Sequence, residues 1–218
     1  MSGRPLPTRF IVALMIGLGL AGCGGAAAGV PAAGVVRSEA GRPARVSAVT
    51  HVGTAPTAVA VGAGAVWVAN SGDGTVDRLD PATGRVTGRP TTVGPGPLAV
   101  AIGEGGVWVA TGDGMVRRID PRTRRLAPGG AAVTGVAGLA TGEGAVWATS
   151  TTAGTLVRID PRTGRADGKP MVVGRGPTDV AVGGGAVWVA DAVGGDVARV
   201  DPGTGRVTGR TPVAPAQP

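Results

Sequence analysis

Residues Thr57 to Asp80 read TAVAVGAGAVWVANSGDGTVDRLD. Three segments within this stretch, Thr57–Val61, Ala65–Ala69 and Thr75–Asp80, are rich in Val, Thr, Leu and Trp and are bounded by Gly, Asn and Asp. That is the pattern of short successive strands joined by tight turns. Gly62-Ala63-Gly64 closes the first hairpin. After the third segment, Asp80-Pro81-Ala82-Thr83-Gly84 closes another turn. Pro presets φ at the first turn position, the Asp carboxylate accepts backbone N–H groups, and Gly supplies a positive φ. Arg85–Val93 then reads as a fourth strand, so residues 57–93 form one unit of four antiparallel strands.

The unit recurs. Tryptophans stand at 67, 108, 147 and 188, and Asp-Pro pairs begin at 80, 120, 160 and 201. Two independent markers therefore repeat in phase about every 40 residues. A period of this length built from short strands marks propeller blades, whereas helical repeats of similar length need long amphipathic helices, and glycines interrupt every candidate. The first hairpin is matched by Gly103-Glu104-Gly105, Gly142-Glu143-Gly144 and Gly183-Gly184-Gly185. Arg124 occupies the place of Gly84, Gly164 and Gly205, which predicts strain or a different turn in the second repeat. The predicted fold class is all-β, a β-propeller of four-stranded blades with four blades recognisable.

Composition agrees. The chain has 218 residues, with 42 Gly and 18 Pro, a share that by itself suggests disorder. Hydrophobic residues at 43% and charged residues at 16% argue against it. The glycines fall in the hairpins. One His and one Cys leave no material for a His/Cys zinc site, a Cys–His nucleophile pair or a disulfide.

The N-terminus reads as an address. Arg4 and Arg9 precede an apolar run from Phe10 to Leu20, the charged and hydrophobic regions of a secretory signal too short to span a bilayer comfortably. The run ends in Leu20-Ala21-Gly22-Cys23, which resembles a bacterial lipobox. That resemblance implies cleavage before Cys23, lipidation of its thiol, and a mature lipoprotein anchored to the outer face of the cytoplasmic membrane. Loss of Arg4 and Arg9 takes the formal charge from +7 to +5. The expected organisation is a lipoprotein signal peptide at 1–22, a flexible Gly/Ala/Pro linker at 23–45, the propeller at 46–213 and a tail at 214–218.

The tetrapeptides Trp67-Val-Ala-Asn70, Trp108-Val-Ala-Thr111, Trp147-Ala-Thr-Ser150 and Trp188-Val-Ala-Asp191 resemble the Tyr-Val-Thr-Asn signature of YVTN propellers. Gly176-Pro-Thr-Asp-Val-Ala-Val-Gly183 with Arg199-Val-Asp-Pro-Gly-Thr-Gly205 is also similar to virginiamycin B lyase-like and NHL-type propellers. The resemblance covers about four-fifths of the chain and implies the fold rather than a reaction. Such relatives usually carry six or seven blades. Arg45–Gly53 (RVSAVTHVG) resembles the fourth-strand segments at 85–94 and 206–213, which gives four full blades and one spare strand. Three arrangements are open: a four-bladed ring clasped by that strand, two chains joined as an eight-bladed homodimer, or an open arc with unpaired edges.

Four sets of residues are candidates for function. The tryptophans could stack on a flat ligand, but their repeated mid-strand position suits filling the space between blades. Arg78, Arg118, Arg158 and Arg199 could ring an anionic polymer, or staple blades by pairing with carboxylates and capping turn carbonyls. Asn70, Asp73, Asp113 and Asp191 stand in or beside the loops between second and third strands, which differ among repeats and in propellers lie on the usual ligand face. They could offer oxygens to calcium or magnesium, although Asp-Gly is equally a turn dipeptide. His51 is the only imidazole and lies in the spare strand, so the general base implied by the lyase resemblance has no counterpart within the repeats. No cofactor, no metal site and no catalytic residue is assigned. Export and the scattered charge disfavour nucleic acid. The reading is a non-catalytic binding scaffold for an envelope protein or glycan; the alternative is a metal-dependent lyase or hydrolase resembling virginiamycin B lyase or the sugar lactonases.

Overall fold

The computed structural model describes residues 48–213; the expected signal peptide, Cys23, the linker and the tail lie outside the described residues. All regular structure among the described residues is β, arranged as four antiparallel sheets in chain order, the blades of a β-propeller. Blade 1 comprises Pro56–Gly62, Ala65–Asn70, Thr75–Leu79 and Thr91–Thr92. Blade 2 comprises Pro97–Gly103, Gly106–Thr111, Met115–Ile119 and Ala131–Ala132. Blade 3 comprises Val136–Gly142, Ala145–Ser150 and Thr155–Asp160, with two short outer pieces, Arg165–Ala166 and Met171–Val172, on the third strand. Blade 4 comprises Pro177–Gly183, Ala186–Asp191, Asp196–Val200 and Val207–Pro212.

The first three strands of blade 1 follow the expected segments to within a residue, and the other three blades repeat them. The first hairpin turns are of type I′, with positive φ at both central residues: Ala63 and Gly64, Glu104 and Gly105, Glu143 and Gly144, Gly184 and Gly185. This turn has the right-handed twist that two paired strands need. The second turn keeps one form in all four blades. Residues Gly84, Arg124, Gly164 and Gly205 each have φ near +60 to +70° and donate their N–H to Asp80, Asp120, Asp160 and Asp201 O at 2.8–2.9 Å. Arg124 thus adopts the glycine conformation rather than a different turn, and carries the strain of a side chain there.

The fourth strand follows expectation in blade 4, where Val207–Pro212 pairs with the third strand, and departs from it in blade 1. The expected strand Arg85–Val93 is an isolated bridge at Val86 to Leu79, followed by a two-residue strand at Thr91–Thr92. Between them, Gly88 turns at φ 73° and Pro90 has no N–H to give to a ladder. The described part of the expected spare strand, residues 48–53, forms no ladder either. It runs along blade 1, held by Thr50 Oγ1 donating to Gly84 O at 2.8 Å and by Gly53 N donating to Asp77 Oδ2 at 2.9 Å.

No blade has a core of its own. Three apolar clusters each straddle two neighbours: Trp67, Ala69 and Val76 against Val107, Val109 and Ile119; Trp108 and Val116 against Val146 and Ile159; Trp147 and Leu156 against Val187, Val189 and Val200. Among the described residues no such cluster joins blade 4 to blade 1. Among the described residues the sheets therefore stack as 1-2-3-4, with one face of blade 1 and one face of blade 4 uncovered.

Candidate functional site

Each tryptophan sits in a repeated three-part setting. Its indole N–H donates to the carbonyl at the end of the first strand: Gly62, Gly103, Gly142 and Gly183 O, at 3.0–3.3 Å. The residue across the hairpin on the third strand is Arg78, Arg118, Arg158 or Arg199. Each guanidinium lies 5.8–5.9 Å from the ring centroid of its tryptophan, within cation–π range. Arg78 and Arg199 also donate to Thr87 and Thr208 Oγ1, and Arg118 donates to Gly105 O. The arginines act inside a blade and not as blade-to-blade staples, because the hairpin register sets them over their own indole. Trp67, Trp108 and Trp147 are fully buried between blades, as their repeated position suggests, whereas Trp188 is 38% exposed. None of the first three is available for stacking on a ligand.

The loops between second and third strands leave all four blades at the same end, and their bases are built from buried polar residues. Asn70, Thr111, Ser150 and Asp191 occupy the same place at the end of the second strand, and all four are buried. Each ties its loop down differently. Asn70 Nδ2 donates to Asp77 Oδ2 at 3.0 Å and to Thr75 Oγ1. Thr111 Oγ1 donates to Asp113 Oδ1 at 2.6 Å. Ser150 Oγ donates to Thr134 O. Asp191 accepts the N–H groups of Arg175, Gly176 and Gly194 at 2.8–2.9 Å. Burial pushes the Asp191 carboxyl up, but those donors together outweigh it and hold it below the usual carboxylate range.

The remaining loop acids are also engaged. Asp73 Oδ2 accepts the Thr54 N–H at 2.5 Å, which lowers its carboxyl. Asp113 accepts two guanidinium N–H groups from Arg117, at 2.6 and 2.9 Å. Arg117, with Thr111 behind it, holds the Asp113 carboxyl far below the ordinary range, and Asp113 in turn raises Arg117. The four candidates Asn70, Asp73, Asp113 and Asp191 thus share one end of the blades but do not converge. Each is bound to the loop or link of its own blade. Among the described residues no group of three or more His, Cys, Asp or Glu side chains is placed to hold a metal ion. Glu104 and Glu143 lie at the opposite end, in the first hairpins, and His51 is exposed beside blade 1.

Two residues of this end escaped the sequence reading. Asp77 is buried on the third strand of blade 1 and joins Gly53 N to Asn70 Nδ2. Arg117 holds the same register in blade 2, where blades 3 and 4 have Val157 and Ala198. Aligning the repeats column by column would have exposed both as charged residues in an otherwise apolar position.

No protein-family model matches the sequence, and no curated protein does. Solved structures share the fold. Hydrazine synthase from Kuenenia stuttgartiensis aligns with a TM-score of 0.65 at 18% identity, over 77% of this chain and 52% of that one. A catalytically inactive virginiamycin B lyase from Staphylococcus aureus aligns with a TM-score of 0.61 at 17% identity, over 73% of this chain and 56% of that one. The computationally designed Ika4 protein aligns with a TM-score of 0.55 at 21% identity, over 67% of this chain and 90% of that one. The chain spans about half the length of the two natural proteins. At these identities the likeness is one of fold: the protein is built of β-propeller blades.

Proposed function

We propose that this chain is an exported lipoprotein, tethered through Cys23 to the outer face of the bacterial cytoplasmic membrane, whose blades form a non-catalytic scaffold that binds an envelope protein or glycan. The observation that carries the binding reading is the loop end of the blades. Four loops with pinned bases present exposed tips of different chemistry: Gly72-Asp73, Gly112-Asp113, Thr152-Ala153 and Ala192-Val193. Pinned bases lower the ordering cost of recognition, since the tips are held before a partner arrives. A metal-dependent lyase or hydrolase needs carboxylates free to turn toward one cation, and here Asp73, Asp113 and Asp191 are bound to backbone or to Arg117.

The test is site-specific photocrosslinking in the producing cell, with the photoreactive residue placed in turn at 73, 113, 153 and 193, and at 104 and 143 on the opposite end. Adducts of one mass from the first set alone support the reading. Adducts from neither set, or turnover of a cyclic ester by the purified protein that is lost on Asp113→Asn, overturn it. Anchoring is tested separately: Cys23→Ala is expected to abolish acyl labelling, and undiminished labelling refutes the lipobox.

A further inference from the structure

The three inter-blade clusters share one construction, and it leaves two complementary faces over. In each, the tryptophan-bearing face of one blade covers the opposite face of the next. Among the described residues the tryptophan face of blade 4 has no such cover, and the opposite face of blade 1 covers nothing. The exposures show it. Trp188 is 38% exposed where its three counterparts are at 0%. Val59 and Val61 are 54% and 73% exposed, whereas their counterparts Val100 and Ile102, Leu139 and Thr141, and Val180 and Val182 are buried or half-buried against the preceding blade.

The glycine ending each first strand reports the same gap at atomic scale. A Cβ on Gly62 would stand 2.8 Å from Ile102 Cγ2, and one on Gly142 2.7 Å from Val182 Cγ1; one on Gly103 would collide with Thr141. Each contact is with the same position of the following blade. A Cβ on Gly183 would meet nothing within 4 Å. Counting back through Val182, Thr141 and Ile102, the residue at that position in blade 1 is Val61.

Residues 48–53 extend the pattern. Thr50 Oγ1 donates to Gly84 O at 2.8 Å, as Thr91 Oγ1 donates to Arg124 O at 3.1 Å. The segment therefore lies against blade 1 as the end of blade 1 lies against blade 2, in the place of a preceding blade's outer strand. In sequence the stretch 45–52, part of which lies outside the described residues, matches the last strand of blade 4: Arg45-Val-Ser-Ala-Val-Thr-His-Val52 and Arg206-Val-Thr-Gly-Arg-Thr-Pro-Val213 agree at Arg, two Val and Thr, with Ser for Thr.

We propose that the occupant of both faces is a second copy of this chain. The tryptophan face of blade 4 in each copy docks on the Val59–Val61 face of blade 1 in the other, with Val61 seated on Gly183. Two such junctions close a ring of eight blades about a twofold axis. One chain does not bring its own faces together, because its blade-to-blade geometry is that of longer propellers, of which it matches 52–56%. A second copy supplies blades of the same geometry and, at the junction, the same register. At each junction residues 48–52 and 209–213 of the two copies claim equivalent outer positions, and one of the two segments yields.

The experiment is the mass of the processed full chain, extracted and held in density-matched detergent, by sedimentation equilibrium from 1 to 50 μM. The parent is expected at twice the monomer mass. Gly183→Leu places a side chain in open space of the single chain but against Val61 across the junction; Val61→Glu puts a charge on the opposite face. Both are expected to give monomers with unchanged circular dichroism and at least a tenfold weaker association. A parent that stays monomeric at 50 μM, or a dimer whose strength neither substitution changes, overturns the proposal.

Discussion

Trp147 and Trp188 hold the same place in successive blades, make equivalent indole hydrogen bonds and lie under equivalent arginines, Arg158 and Arg199, yet among the described residues one is covered by a following blade and the other is not. Replacing each with alanine isolates the contribution of that cover. Trp147→Ala opens a hole among Leu156, Val173, Val187 and Val189, which the two flanking sheets cannot fill without shifting. Removal of a fully buried tryptophan costs about 3–5 kcal/mol, the transfer and cavity contributions together. Trp188→Ala removes a ring already 38% exposed and leaves no closed cavity, so its cost is expected at about 1–2 kcal/mol. For a domain of this size the first change lowers the melting temperature by about 6–20 °C and the second by a few degrees. The assay is urea denaturation followed by far-UV circular dichroism, at protein concentrations low enough to keep copies apart, with the slopes compared to confirm that the same surface unfolds. Equal destabilisation by the two substitutions would refute the claim that the inter-blade space, rather than the blade itself, is what the tryptophans stabilise.

Three further outcomes are expected. Arg124→Gly relieves a left-handed conformation costing about 1–2 kcal/mol and gives back about 0.5–1 kcal/mol in unfolded-chain freedom, so melting should rise slightly; a fall would show that the Arg124 Nη1 bond to Thr87 O outweighs the strain. Asp113 and Asp191 have carboxyls lowered by folding, so the stability they supply is present above pH about 4 and is lost as pH falls toward their folded values; melting should drop between pH 5 and 2. Asp113→Asn should make that drop shallower, and a slope identical to the parent's would remove the Asp113–Arg117 pair as its source. Gly62→Leu, unlike Gly183→Leu, forces a side chain into Ile102 and should destabilise the single chain by about 1–3 kcal/mol, read as a lower urea midpoint.

The blades were legible because two markers, the tryptophan and the Asp-Pro pair, are tied to fixed places in a hairpin, and a hairpin register allows no drift. The Trp–Arg pairing was also within reach: ten or eleven residues separate Trp67 from Arg78 and Trp108 from Arg118, the span that sets them opposite each other across one turn. In blade 1 the fourth strand was misread because Val86 and Thr91–Thr92 look continuous by composition, while Gly88 and Pro90 break the ladder between them. The loop acids show a different boundary. Sequence placed Asp73, Asp113 and Asp191 at one end of the blades; Asp113 meets local partners, Thr111 and Arg117, but Asp73 and Asp191 take donors from elsewhere in the chain, Thr54 for Asp73 and Arg175 and Gly176 for Asp191. Which carboxylates are engaged depends on those links, and no local pattern announces them.

Because every apolar cluster is divided between two neighbours, the natural unit of change in this chain is a whole repeat. Excising one stretch of about 40 residues, from one Asp-Pro turn to the next, would bring together two faces already shaped for each other, as blade 1 and blade 3 both present what blade 2 and blade 4 need. A change in blade number would then need no new interior, since each junction reuses the same pair of faces, and the loop tips would be the part of a blade left to vary on its own.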